Sequence, residues 1–196
     1  VSLKEHVYSV LLVSSSDKFN STMREMLPES DFTPVCTVGS IGEAQRTLTE
    51  RTFDFVIINS PLPDDSGIKL AIDVCLGKTS VALLIVKTEV YDEIFYKVAG
   101  SGVLTLRKPM SAALLNQSFD WMKAICERLR SLQKKTVSLE DKMAEIRIVN
   151  RAKWALIESC KMTEADAHRY IEKQAMDRCV TRREIAEGIL RTYTGK

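Results

Sequence analysis

Residues 53–63, Phe53-Asp54-Phe55-Val56-Ile57-Ile58-Asn59-Ser60-Pro61-Leu62-Pro63, pass in one step from an apolar run to a turn punctuated by two prolines. A short, nearly unbroken run of Phe, Val and Ile is the pattern of a strand buried on both faces of a parallel sheet, where helices exclude water from each side. Outward from this stretch, Val7 to Val13 and Val81 to Val86 repeat the pattern, and Val35 to Val38 and Val103 to Leu106 complete five strands. Between them lie segments of helical period, such as Phe19, Met23, Met26 and Leu27, or Ile41, Ala44 and Leu48. Alternating strand and helix predicts an α/β doubly wound domain with a five-stranded parallel sheet. Pro109 after Lys108 marks the turn out of the last strand.

At 196 residues and 45% apolar, the chain suits one large domain or two small ones with a packed core. Its longest apolar runs fall well short of the roughly 20 residues that span a bilayer, and no charged-then-apolar leader opens the sequence. A soluble, cytoplasmic protein without membrane contact is the expectation. The five cysteines, Cys36, Cys75, Cys126, Cys160 and Cys179, are odd in number and scattered, with no CxxC or interleaved histidine. They read as reduced structural residues, and neither a metal site nor a cofactor is expected. Net charge is only +2, but residues 1–110 hold 11 Lys/Arg against 14 Asp/Glu while residues 144–196 hold 11 against 8. A polyanionic partner would meet the back of the chain, though a solvated helical surface produces the same small bias.

The order of elements, with Asn59-Ser60-Pro61-Leu62-Pro63 after one strand and Arg107-Lys108-Pro109 after another, resembles the flavodoxin-like receiver domain of two-component response regulators over about residues 7–120. The resemblance implies two acidic residues at the end of the first strand, a phosphoryl-accepting Asp at the end of the third, a Ser/Thr at the end of the fourth and a Lys at the end of the fifth. The matching positions here are Ser14 and Ser15, Asn59, Val86 and Lys108, so only the lysine keeps the family's residue type. An aspartyl nucleophile needs an ionised carboxylate, and Mg²⁺ needs carboxylate oxygens; an amide and two hydroxyls supply neither. Residues 1–120 therefore read as a pseudo-receiver that is no enzyme and is not switched by ordinary aspartyl phosphorylation. Asp17, Asp64 and Asp65 lie nearby in sequence and read as turn and helix-capping residues, with holding a cation as the alternative. Lys108 is expected to persist as a fold element, hydrogen-bonding Asn59 across the strand ends.

From Met110 to Glu187 there is neither Gly nor Pro, which predicts an all-helical back half. Apolar or small residues recur at Leu115, Phe119, Met122, Cys126 and Leu129, then at Leu132, Thr136, Leu139, Met143 and Ile146, in steps of four and three. The three-residue step from Leu129 to Leu132 interrupts the heptad. Such a stripe packs equally on its own domain or on a second chain. The first part, to about Met122, is expected to cap the sheet. Residues 121–145 are expected to form a homodimeric coiled coil through Met122, Cys126, Leu129, Leu132, Leu139, Met143 and Ile146. Ser138-Leu139-Glu140-Asp141 is also a candidate helix start, which leaves open a break near Thr136 to Ser138.

Two capping boxes, Thr163 with Asp166 and Thr181 with Glu184, divide residues 146–196 into a small three-helix module. Ala152, Leu156 and Ile157, then Ala167, Ile171 and Ala175, then Ile185, Ile189 and Leu190, supply its inward faces. The Ala152-Lys153 pair, Thr163-Glu164-Ala165-Asp166-Ala167, Gln174-Ala175-Met176 and Glu184-Ile185-Ala186 resemble the ANTAR family of transcription antitermination regulators. That resemblance implies a dimeric RNA binder that stabilises an antiterminator with paired hairpin loops in a nascent leader transcript. Splayed loop bases stack on planar side chains and phosphates attract Lys and Arg. The implied RNA contacts are Arg147, Arg151, Ala152, Lys153, Trp154, His168, Lys173, Ala175 and Met176. Met176 fits a base platform or the core, and Trp154 fits base stacking or packing between modules. Trp154 and Lys161 stand where the family has Gly, His168 where it has a ring and Glu172 where it has Arg. An unknown protein or a small ligand would supply the input. A protein-interaction adaptor that has lost RNA binding is the alternative. No helix-turn-helix pattern points to DNA.

Overall fold

The computed structural model describes residues 6–77 and 79–193. The chain forms two compact units, Val1–Gln133 and Lys134–Lys196. In the first, β1 (Tyr8–Val13), α1 (Asp17–Met26), β2 (Phe32–Val38), α2 (Ile41–Glu50), β3 (Phe55–Asn59), α3 (Ile68–Leu76), β4 (Val81–Lys87), α4 (Tyr91–Val98) and β5 (Leu104–Lys108) alternate as the sequence pattern requires. The five strands form one parallel sheet in the order β2-β1-β3-β4-β5. All of β3 is buried, which accounts for its unbroken apolar run. Successive side chains alternate between two cores. Leu11, Val13, Val56 and Ile58 face one helical layer, and Tyr8, Val10, Leu12, Phe55 and Ile57 face the other.

β2 begins at Phe32, three residues earlier than its apolar run. Pro34 hides that start in the sequence, but an edge strand tolerates a residue without an N–H. Phe32 belongs there because its ring meets Phe55 at 6.1 Å and Phe119 at 5.9 Å between centroids.

The next helix along the chain, α5 (Ala112–Cys160), is continuous for 49 residues, so there is no break near Thr136 to Ser138. Leu115, Phe119, Met122 and Cys126 are buried against the sheet, and Leu129 is half-buried against the same core. The expectation that Met122, Cys126 and Leu129 face a second chain is therefore corrected. The sheet face formed by Tyr8, Phe55 and Ile57 needs a cover, and the stripe supplies it for two turns more than expected. Polar ties reinforce the cover: Lys123 pairs with Asp31 at 2.7 Å, and Arg130 pairs with Asp54 at 2.6 Å and Glu127 at 2.7 Å. The Arg130 guanidinium also lies over the Tyr8 ring. Beyond that tie, every residue from 131 to 143 is exposed.

In the second unit the end of α5 packs with α6 (Glu164–Arg178) and α7 (Arg182–Tyr193) around Ala152, Leu156, Ala167, Ile171, Ala175, Ile185 and Ala186. Four of these seven are alanine, which lets the helix backbones approach closely. Both caps form, the one at Thr181 as a reciprocal box and the one at Thr163 with its hydroxyl donating to Asp166 Oδ2. Asp166 N–H donates to Thr163 Oγ1 at 3.2 Å, Glu184 N–H donates to Thr181 Oγ1 at 3.2 Å, and Thr181 N–H donates back to Glu184 Oε2 at 2.8 Å. Among the described residues no helix is long and apolar enough to cross a membrane.

Candidate functional site

At the C-terminal edge of the sheet the acceptor position is a neutral hydrogen-bonded cluster. Asn59 ends β3 with 7% of its surface exposed, and its Nδ2 donates to Ser14 Oγ at 2.9 Å. Ser14 Oγ also accepts from Ser16 N–H at 3.2 Å, and Ser14 O accepts from Asn20 Nδ2 at 3.3 Å. Ser15 is exposed beside them, and the Val86 side chain faces the apolar layer with Ile58 and Leu84. Lys108 ends β5, but its ammonium donates to the Ser60 carbonyl, not to Asn59 as expected. The Asn59 Nδ2 is committed to Ser14, while its buried Oδ1 has no hydrogen-bond partner among the described residues. Burial, and secondarily the nearby Lys87, lowers the Lys108 pKa.

The neighbouring acidic residues have structural duties. Asp64 accepts from Ile41 N–H and Gly42 N–H, both at 3.0 Å, and these bonds at the start of α2 hold its carboxyl below the usual range. Asp65 Oδ1 accepts from Gly67 N–H at 2.7 Å, closing the turn in which Gly67 takes a left-handed φ of 78°. Among the described residues no cluster of three or more His, Cys, Asp or Glu is arranged to hold a metal. The cluster around Asn59 contains no carboxylate to attack a phosphodonor or hold its cation.

In the second unit the implied contact residues divide sharply by exposure. Arg147, Arg151 and Lys173 are exposed and have no ion pair among the described residues. Trp154 is 64% exposed and Met176 78%, so Met176 is not a core residue. Ala152 and Ala175 are the reverse: both are buried in the three-helix core and present no side chain to a partner. The Lys153 side chain is only 16% exposed and pairs with Glu164 Oε1 at 3.1 Å, tying α5 to α6.

Residues 138–190 match the ANTAR domain.

The departures within this ANTAR segment acquire physical meaning from the fold. Glu172, where the family carries Arg, lies 3.2 Å from His168 Nε2 and 3.9 Å from Arg182, which also reaches Glu145 at 3.3 Å. Its charge is thus answered locally. Lys161, where the family carries Gly, has φ 55°, the left-handed conformation that glycine adopts without steric cost. Trp154 projects into solvent, so its bulk creates no conflict in the core. Arg169 and Tyr170, not singled out in the sequence, are also exposed on α6. Their signal was spacing: Arg169 precedes Lys173 by one helical turn and Met176 by two.

The transcriptional regulatory protein PdtaR of Mycobacterium tuberculosis is 25% identical over 184 residues, covering 93% of this chain and 89% of that protein. Among solved structures, the adenylate cyclase from Rhodopirellula baltica aligns with TM-score 0.58 at 18% identity over 69% of this chain and 98% of that one. The signal receiver domain of an HD domain-containing protein from Pseudomonas fluorescens Pf-5 aligns with TM-score 0.56 at 18% identity over 68% and 96%. A CheY-like receiver domain from Methylobacillus flagellatus aligns with TM-score 0.50 at 24% identity over 60% and 99%. At these identities the structures speak for fold alone, and that fold is the receiver's.

Proposed function

We propose that this protein is a non-enzymatic, response-regulator-like regulator of transcription that binds RNA through its ANTAR segment. It acts as a homodimer on paired hairpin loops of a nascent leader transcript, promotes antitermination and is not switched by phosphorylation of an Asp. The carrying observation is the ANTAR match together with exposed Arg147, Arg151 and Trp154, spaced by one helical turn along α5, and exposed Lys173 and Met176 on α6. Guanidinium and ammonium groups suit phosphates, and an indole suits an unstacked loop base. Dimerisation is supported by α5: thirteen consecutive exposed residues of helix are marginal alone in water, and Leu139, Met143 and Ile146 are each 55% to 60% exposed. Leu132 completes the stripe. Two linked modules would raise affinity for two adjacent loops through effective concentration.

The alternative is a protein-interaction adaptor, and the pairing of Lys153 with Glu164 favours it because the lysine implied by the family is already engaged. The deciding experiment titrates an RNA carrying two adjacent small hairpin loops, with a single-hairpin control, across a salt series. Tight binding that requires both hairpins and weakens with salt is expected. Indifference to hairpin number would leave the adaptor.

A further inference from the structure

A second candidate site lies in the first unit, between α1 and the start of α5. Met23 of α1 is fully buried beneath the helix, whereas Phe19 and Met26, one turn to either side, are only partly covered. Met110 and Leu115 face them across a groove of about 290 Å³ whose floor is continuous with the sheet's apolar core. Ala112 of α5 also lines the groove.

The rim is polar, and each of its hydroxyl oxygens is engaged by a backbone group. Ser16 Oγ accepts from Phe19 N–H at 3.4 Å, Ser111 Oγ accepts from Leu114 N–H at 3.2 Å, and Thr22 Oγ1 donates to Lys18 O at 3.0 Å. Lys18 is the one charged residue lining the groove, and it has no ion pair among the described residues. An apolar trough with a single unanswered ammonium at its edge selects both shape and charge.

We infer that this groove binds a small amphipathic anion, with its acyl or single-ring body between Phe19, Met26 and Leu115 and its anionic group at Lys18. The volume sits at the lower end of ligand pockets, so the occupant is metabolite-sized. A docked helix would instead need several anchor sites spaced along a longer trough. The groove is one hydrogen-bond step from the acceptor position, because Ser16 N–H donates to the same Ser14 Oγ that accepts from Asn59. It is also built in part from the first turn of α5, so the site offers a receiver without a phosphoacceptor another kind of input.

The test is calorimetric titration of the full chain with decanoate, and with decanol and decylamine as uncharged and cationic controls. Saturable one-to-one binding of decanoate is expected, with decylamine weakest. Thr22→Trp, which fills the groove from an exposed helix position, should weaken decanoate about tenfold or more. Lys18→Gln should weaken decanoate about fivefold and leave decanol unchanged. If thermal melting shows Thr22→Trp to be misfolded, Ala112→Phe fills the same space from α5. Absence of saturable decanoate binding, tighter binding of decylamine, or decanoate binding untouched in a folded groove-filling variant would each overturn the assignment. The readout involves no RNA, so its failure is distinct from failure of the proposed function.

Discussion

Asn59 Nδ2 donates to Ser14 Oγ across 2.9 Å inside the sheet edge, a neutral amide-to-hydroxyl bond where receivers bring carboxylates together. Removing the hydroxyl in Ser14→Ala strands that buried donor and should cost about 1–2 kcal/mol in urea unfolding. With acetyl phosphate and Mg²⁺, neither the native protein nor Asn59→Asp should take a stable phosphoryl label. A lone aspartate still lacks the two carboxylates that hold the cation. The triple variant Ser14→Asp, Ser15→Asp, Asn59→Asp should take the label, read by mass spectrometry.

Two ionisable groups in the contact between α5 and the sheet, Tyr8 of β1 and Cys126 of α5, dictate an alkaline limit to stability. Burial, with some help from Glu127, pushes the Tyr8 phenol from 10.0 to about 12, and burial pushes the Cys126 thiol from 9.0 to about 11. Each folded pKa lies above its unfolded value, so the folded state holds these protons more tightly. The resulting stability is complete below pH 9 and is lost progressively between about pH 9 and 12. Urea midpoints measured across that range should fall, and Cys126→Ala should flatten the fall that begins near pH 9.

Lys161 and Cys179 both adopt left-handed conformations at helix ends, with φ 55° and 52°. A side chain there carries a steric penalty that glycine escapes. Lys161→Gly should therefore raise the stability of the second unit by about 1 kcal/mol, seen as a higher thermal midpoint with unchanged helical circular dichroism.

Different parts of the α5 stripe should respond differently to mutation. Met122→Ala opens a cavity under the sheet and should cost about 2–4 kcal/mol without altering the sedimentation coefficient. The pair Leu139→Glu and Met143→Glu lies on the exposed segment and should produce monomers in sedimentation velocity while leaving the first unit's stability unchanged.

For RNA, the unpaired guanidinium of Arg151 should matter more than the engaged ammonium of Lys153. Arg151→Ala should lower the slope of log affinity against log salt by about 1. Lys153→Ala should change that slope less, but should loosen the α5–α6 tie to Glu164 and lower the second unit's melting temperature. A larger slope change at Lys153 would place that lysine on phosphate.

What the sequence determined by itself was local or periodic. The apolar runs at 55–58 and 81–86 declare buried strands, Thr163 and Thr181 start helices through bonds reaching three residues ahead, and the absence of Gly and Pro from 110 to 187 declares an all-helical back half, whereas the continuity of α5 past Thr136 was left to the structure. That Ser14, Ser15 and Asn59 stand where carboxylates would be is what the resemblance to receiver domains implied, and the strand order then sets those positions at one sheet edge. Tertiary structure alone decided the matters of choice between partners. A stripe in steps of three and four packs equally well on a sheet or on a second chain, and only the size of the sheet face beneath α5 assigns Met122, Cys126 and Leu129 to the first. Lys108 chose the Ser60 carbonyl, Lys153 chose Glu164, and Met176 was left in water. Each outcome depends on distances and desolvation between residues far apart in the chain, quantities that composition and spacing do not encode.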